Sequence, residues 1–156
     1  AYIPTGGELP EILPVREIKR IWNLDGRDYL LFVGRLTPEK GLEYLLSAYE
    51  TLDTEKKLVI VGDANFKDPY VDDLRKRATD DVIFTGYRKG RTLAELFSNA
   101  YLYIQPSTLE GVSVAVLEAL SYGRCVLASD IPGNQVALGE CGHTFQMGNV
   151  NDLRSQ

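Results

Sequence analysis

Cysteine is scarce in this chain. Cys125 and Cys141 are the only two among 156 residues, too few for a disulfide framework. Cys125 lies in a strand-like run, where a reduced, buried, small side chain is the default expectation. Long hydrophobic runs are missing too. No apolar stretch approaches the roughly 20 residues that span a bilayer, and no signal-peptide pattern opens these residues. A reducing, cytoplasmic setting is the resulting expectation. Basic charge is not in excess either: 17 Lys and Arg stand against 22 Asp and Glu, a formal charge of −5. Broad nucleic-acid binding, whose electrostatic footprint is basic, is therefore not expected. Histidine occurs once, as His143 ahead of Phe145 in a strand-like stretch, and reads as structural rather than catalytic. No strand-like run is followed by G-x-G-x-x-G, which argues against a dinucleotide oxidoreductase. Internal repeats and low-complexity tracts are also absent.

What is present is an ordinary globular composition, 44% hydrophobic and 25% charged. A chain of this length buries about 68–70% of the surface its unfolded state exposes, enough for a real core. Strand and helix signals alternate along it. Apolar runs at 29–33, 57–61, 82–85, 101–104 and 125–128 are each bounded by Gly, Pro or Ser-Asp, as fully buried strands are. Helical patterns fall between them at 38–52, 69–79, 91–99 and 111–122. This alternation predicts an α/β fold with a Rossmann-like, doubly wound parallel sheet and helices on both faces. Residues 1–14, with Pro4, Gly6, Gly7, Pro10 and Pro14, read as an interdomain linker. A short helix is expected near 15–22, with Ile18, Ile21 and Trp22 on one face. The stretch from Val150 to Gln156 reads as the opening of another helix, so residues 15–156 are expected to be one domain of a longer protein.

In open α/β sheets, ligands bind beyond the carboxyl ends of the strands. The first strand is followed by Gly34-Arg35-Leu36-Thr37-Pro38-Glu39-Lys40-Gly41. Thr37 is a candidate N-cap with Pro38 at the first helical position. Lys40 then falls in the first turn, where a cation opposes the helix dipole, and that placement makes sense beside an anion. With Arg35 it supplies two charge-assisted contacts, each worth about 1.5–3 kcal/mol, enough to hold a diphosphate. On this motif alone, a solvated lysine and a structural arginine read equally well. Further on, Glu110 and Glu118 bracket a small, apolar run, Gly111-Val112-Ser113-Val114-Ala115-Val116-Leu117. The helix is expected to be buried, since it is apolar nearly all round, and a buried carboxylate such as Glu118 needs a partner. A ligand rich in hydroxyls would serve. Counted along one helix, the carboxylates lie about 12 Å apart and do not stack. The amides of Gly111, Val112 and Ser113 are expected in the first turn, where they favour anions.

These segments resemble a known family. Glu110 to Glu118 looks like the E-x7-E motif of retaining GT-B glycosyltransferases of family 4. Phe32-Val33-Gly34-Arg35-Leu36 with Glu39-Lys40-Gly41 resembles the same family's phosphate-binding signature. Leu58 to Gly62, Phe84-Thr85-Gly86, Pro106-Ser107 and Gly123 through Ser129 follow its order, and Ile3-Pro4-Thr5-Gly6 resembles its I-P-N-G linker with Thr for Asn. Val112 and Ser113 stand where the family often has an aromatic residue and Gly. Val136 replaces the usual Glu in Pro132-Gly133-Asn134-Gln135-Val136.

The resemblance implies the C-terminal domain that binds a nucleoside diphosphate sugar, in an enzyme that transfers the sugar to an acceptor hydroxyl with retention. Arg35 and Lys40 would grip the diphosphate and Glu110 the sugar hydroxyls, as catalytic residues. Gly34 and the backbone at Gly111, Val112, Ser113 and Val114 would hold phosphate, Glu118 the ribose, and the segment from Tyr87 the base. No metal and no cofactor beyond the donor substrate is implied. The acceptor, a glycan or lipid-linked hydroxyl, would be held by an amino-terminal domain with possible peripheral membrane contact, so the isolated domain is expected to be inactive. The basic stretch Arg88-Lys89-Gly90-Arg91 reads as a solvated loop. The alternatives are a non-catalytic nucleotide-binding or interaction module, or another GT-B enzyme such as a sugar-nucleotide epimerase or a phosphorylase.

Overall fold

Residues 9–64 and 68–156 are described by a computed structural model of the chain. Residues 1–8, with the linker-like Ile3-Pro4-Thr5-Gly6, lie outside the described residues. Residues 9–14 carry no regular secondary structure, yet Leu13 is docked: its N–H donates to Ser98 Oγ at 3.0 Å and its carbonyl accepts from Asn99 Nδ2 at 2.9 Å.

The apolar runs form the strands β1 (Tyr29–Val33), β2 (Lys57–Val61), β3 (Val82–Gly86), β4 (Leu102–Gln105), β5 (Cys125–Ser129) and β6 (His143–Phe145). Every pairing among them is parallel, in the order β3-β2-β1-β4-β5-β6. The helices are α1 (Glu17–Trp22), α2 (Leu42–Glu50), α3 (Pro69–Arg77), α4 (Gly90–Asn99), α5 (Val114–Ser121), α6 (Pro132–Leu138) and α7 (Val150–Ser155). Because side chains alternate along a strand, β1 to β5 each feed two cores, while the edge strand β6 buries only Phe145. Leu30, Phe32, Leu58, Ile60, Ile104 and Leu127 pack with α2, α3 and Leu153 of α7. Tyr29, Leu31, Val59, Tyr103 and Val126 pack on the other face with residues of α1, α4, α5 and α6. Each such Leu, Ile or Phe contributes about 1.5–3 kcal/mol on burial, so the sheet is held from both sides. This is the doubly wound Rossmann-like architecture expected, and no described helix is long and apolar enough to cross a membrane.

Several local expectations are corrected. The helix read at 38–52 is broken: Pro38–Lys40 forms a 3-10 turn and α2 begins only at Leu42. Gly41 causes the break, with φ of 66°. Thr37 precedes Pro38 as expected but makes no side-chain capping bond. The helix read from 111 starts at Val114, because Ser113 is its N-cap and accepts from Val116 N–H. It is not wholly buried either, since Val114 is 61% exposed and only Val116 and Ala119 in it are fully covered. Helix α6 was not expected; its seven residues include Gly133 and Asn134, both weak helix formers. In α1 Ile18 is buried, whereas Ile21 is 49% exposed. Cys125 is exposed rather than buried because it opens β5 at the amino end of the strand, and Cys141 is exposed as well.

Candidate functional site

The strand order reverses direction between β1 and β4, and beyond the carboxyl ends of such a pair an open α/β sheet has its crevice. Two loops meet there, 34–41 after β1 and 106–113 after β4. They lie backbone to backbone. Thr108 N–H donates to the Glu39 carbonyl at 2.9 Å, and a Cβ on Gly41 would fall 2.2 Å from the Pro106 carbonyl oxygen. Glycine at 41 thus serves both the turn and the contact. A similar contact supports the loop from the other side, where a Cβ on Gly62 would fall 1.8 Å from the Gly34 carbonyl oxygen.

This docking brings Lys40 to Glu110. Their Nζ and Oε1 atoms are 2.6 Å apart, with side chains only 15% and 12% exposed. The same Oε1 accepts from Gln105 Nε2 at 2.9 Å and from Ser107 Oγ at 2.8 Å. Oε2 accepts from none of the described residues, so the carboxylate keeps one oxygen for a ligand. Gln105 and Ser107 are buried. Neither was singled out from sequence as a site residue. The available signal was a pair of polar residues closing an otherwise apolar strand at a carboxyl end.

Gly34, Arg35 and Tyr87 converge elsewhere, on a cavity of about 550 Å³ that Gly62, Asp63 and Arg88 also line. Arg35 is exposed there and Tyr87 is 68% exposed at the same cavity. Arg88, expected in a solvated loop, lies 5.2 Å from the centre of the Trp22 ring, a cation–π contact. A second cavity of about 300 Å³ lies among Leu30, Leu45, Tyr101, Leu102 and Leu153, at the opposite ends of the strands. Asp53, Lys56 and Arg154 also line it, but it lies away from the carboxyl ends of the strands, where an open α/β sheet binds its ligand.

Glu110 precedes α5, as expected, but by a longer stretch of loop. It sits in the loop before the helix with Gly111 and Val112, so the 12 Å separation counted along one helix does not apply. The start of α6 holds this loop: a Cβ on Gly133 would lie 1.8 Å from the Gly111 carbonyl oxygen and 2.5 Å from that of Glu110. The amides of Gly111 and Val112 are consequently exposed loop groups rather than first-turn groups, and Val114 is the first helical residue. Glu118 is the fifth residue of α5, half-buried, with no side-chain partner among the described residues. Burial without a partner raises its carboxyl above the usual carboxylate range. The structure therefore joins Lys40 with Glu110, and Gly34 and Arg35 with Tyr87, while Glu118 makes no side-chain hydrogen bond to either set among the described residues but, like Glu110, acts electrostatically on the Tyr103 hydroxyl. His143 is exposed and touches neither.

The same residues can be placed among known proteins. Residues 14–154 match the model of the family described as glycosyl transferases group 1. A GDP-mannose-dependent alpha-mannosyltransferase of Mycolicibacterium smegmatis is 34% identical over 127 residues, covering 80% of this chain and 31% of that protein. An uncharacterised glycosyltransferase of Methanocaldococcus jannaschii is 36% identical over 113 residues, covering 70% of this chain and 29% of that protein. Among solved structures, the sucrose-phosphate synthase of Thermosynechococcus elongatus superposes with a TM-score of 0.81 at 26% identity, over 98% of this chain and 41% of that one. Anabaena HepE in complex with UDP and glucose superposes with a TM-score of 0.79 at 23% identity, over 89% of this chain and 40% of that one, a likeness of fold. The chain thus spans well under half the length of each relative. With its doubly wound sheet, its crevice between β1 and β4 and a family match across nearly all its length, this chain belongs to the glycosyl transferases group 1 family.

Proposed function

We propose that the chain is the donor-binding, C-terminal half of a retaining GT-B glycosyltransferase. Residues 15–156 hold a nucleoside diphosphate sugar, and residues 1–14 lead to an amino-terminal half that carries the acceptor pocket. The observation behind this reading is the Glu110 carboxylate, fixed on one oxygen and open on the other at the sheet's reversal point. HepE solved with UDP and with UDP-glucose, and a relative named for GDP-mannose, support a nucleotide-sugar donor.

In this reading the open Glu110 oxygen accepts from the donor sugar's hydroxyls. Arg35 and Lys40 balance the charge that grows on the diphosphate as the sugar leaves, and removing either costs on the order of 10²–10³ in rate. Gly34 and the amides of Gly111, Val112, Ser113 and Val114 let phosphate approach backbone closely. Glu118 accepts from the ribose hydroxyls, and Tyr87 borders the cavity for the base. The two cations take the place a metal ion would otherwise fill. The acceptor is a glycan or lipid-linked hydroxyl, met at the cytoplasmic membrane face by the whole protein.

Calorimetric titration of the folded chain with UDP, GDP and ADP tests the donor site. Weak binding of at least one, without sugar transfer by this chain alone, is expected; silence from all three would refute the assignment. One observation favours a second reading, a module that binds without transferring: Lys40 is paired with Glu110 rather than free to meet a departing diphosphate. Assay of the whole protein separates the two: sugar transfer that falls in Glu118→Ala supports the enzyme, and nucleotide binding with no transfer by the parent supports the module.

A further inference from the structure

The Glu110 carboxylate is approached from below by a chain of buried polar groups. Tyr103 is fully buried, with its ring 5.8 Å from that of Phe97, and Gln105 is 1% exposed. The Tyr103 hydroxyl meets Gln105 Oε1, and Gln105 Nε2 meets Ser107 Oγ at 2.7 Å and Glu110 Oε1 at 2.9 Å. We infer that Tyr103 and Gln105 are positioning residues for Glu110: the hydroxyl fixes which way the amide faces, and the amide fixes which carboxylate oxygen is offered to a ligand. The inference rests on the reading of Glu110 as the residue that binds the donor sugar.

The proton count settles the orientation. An ionised carboxylate only accepts, so the amide must turn its NH2 towards Glu110 and its oxygen towards Tyr103. Tyr103 has one proton to give. The Val33 carbonyl, 3.3 Å away, is the more distant acceptor, so the proton goes to Gln105. Burial raises the Tyr103 hydroxyl well above the ordinary phenol range, which keeps it a donor at any working pH. Both amide protons are then used, one on Ser107 and one on Glu110. Ser107 donates its own proton to Glu110 Oε1, and Lys40 adds a third donor there. Three donors on Oε1 leave Oε2 to face the cleft. Without the tyrosine proton the amide is free to flip, and its oxygen would then oppose the carboxylate.

The test uses Gln105→Met, which keeps length and deletes both donors, and Tyr103→Phe, which deletes the orienting proton alone. Calorimetry compares UDP-glucose and GDP-mannose with plain UDP and GDP. Gln105→Met is expected to weaken binding of the sugar nucleotide about tenfold, the worth of one charge-assisted hydrogen bond, with the plain nucleotide unchanged within about twofold. Tyr103→Phe should move the same way by less, and the double variant should match Gln105→Met, a coupling that simple loss of packing does not produce. An unchanged ratio of sugar-nucleotide to nucleotide affinity in all variants overturns the inference. A ligand-free crystal structure of Gln105→Met decides it independently: the Glu110 carboxylate is expected to turn about its pair with Lys40, so that the same oxygen no longer faces the cleft, and an unmoved carboxylate overturns the proposal. Should the unaltered chain bind none of the four probes, the donor reading fails, and the crystal result alone rules on the positioning.

Discussion

At the scale of single residues, the charges at the crevice are unequal in what they have to hold. Lys40 and Glu110 are mostly covered and hold each other. Removing Lys40 leaves a largely buried carboxylate with neutral donors only, so Lys40→Ala should destabilise the chain by roughly 1–3 kcal/mol, measured by urea unfolding. Glu118 is the opposite case, half-buried without a partner, and its carboxyl is raised by burial alone. Its folded form therefore binds a proton more readily than its unfolded form. The stability this contributes is present at acid pH and is lost as pH rises through the raised folded value. Glu118→Gln should accordingly be more stable than the parent at neutral pH, by less than about 1 kcal/mol because solvent screens a half-exposed group, and equal to it at acid pH. Denaturation at several pH values checks this, and a difference that grows towards acid pH would contradict it. The two glutamates were legible in sequence as chemistry-bearing residues, since carboxylates flanking an apolar run stand out. Gln105 and Ser107 were not, because an uncharged polar residue at a strand end looks like ordinary punctuation until its burial is known.

At the scale of elements, the strands were read well and the loops beside the site were not. Five apolar runs became five strands within one residue at either end, since burial on both faces selects continuous apolar sequence. The helix starts at 42 and 114 were each placed too early because Gly41 and Gly111 sit inside runs whose apolar pattern already reads as helical. What delays them is tertiary: loop 34–41 is pinned on Pro106 and loop 110–113 on Gly133. Such contacts between distant residues leave no local periodicity to read. They do make a test. Gly133→Ala puts a methyl group into the Gly111 carbonyl, and overpacking of this kind costs about 1–3 kcal/mol. It should also weaken nucleotide binding, since the 110–113 loop must move. Gly123, with φ of 65° but nothing near its missing side chain, is the comparison. Gly123→Ala should cost roughly 1–2 kcal/mol through backbone strain and leave binding intact. Equal effects of the two on binding, by calorimetry, would deny that Gly133 supports the loop.

At the scale of the whole molecule, the two-faced core holds the sheet while the functional groups ride on loops at one end of it. Binding there should register as global stability. At a nucleotide concentration about 100 times Kd the gain is about 2.7 kcal/mol, which for a chain of this size raises Tm by roughly 5–11 °C. Thermal denaturation with UDP or GDP should show that rise, and Arg35→Ala should abolish most of it without changing Tm in the absence of nucleotide, because Arg35 is exposed. The fold class was legible from the alternation of runs alone; the order of the strands, and so the place where the crevice opens, needed the structure.

The ion pair between Lys40 and Glu110 has a consequence for what the cleft refuses. The cleft carries its own counter-ion. Chloride or inorganic phosphate drawn to Lys40 must displace a carboxylate anchored by two further donors, and offers Glu110 nothing in return. On the proposed reading a sugar nucleotide meets both halves of the pair together, its diphosphate at the lysine and a sugar hydroxyl on the open oxygen of the glutamate. Rejection of the abundant small anions is thus exercised at the door, before any bond is broken.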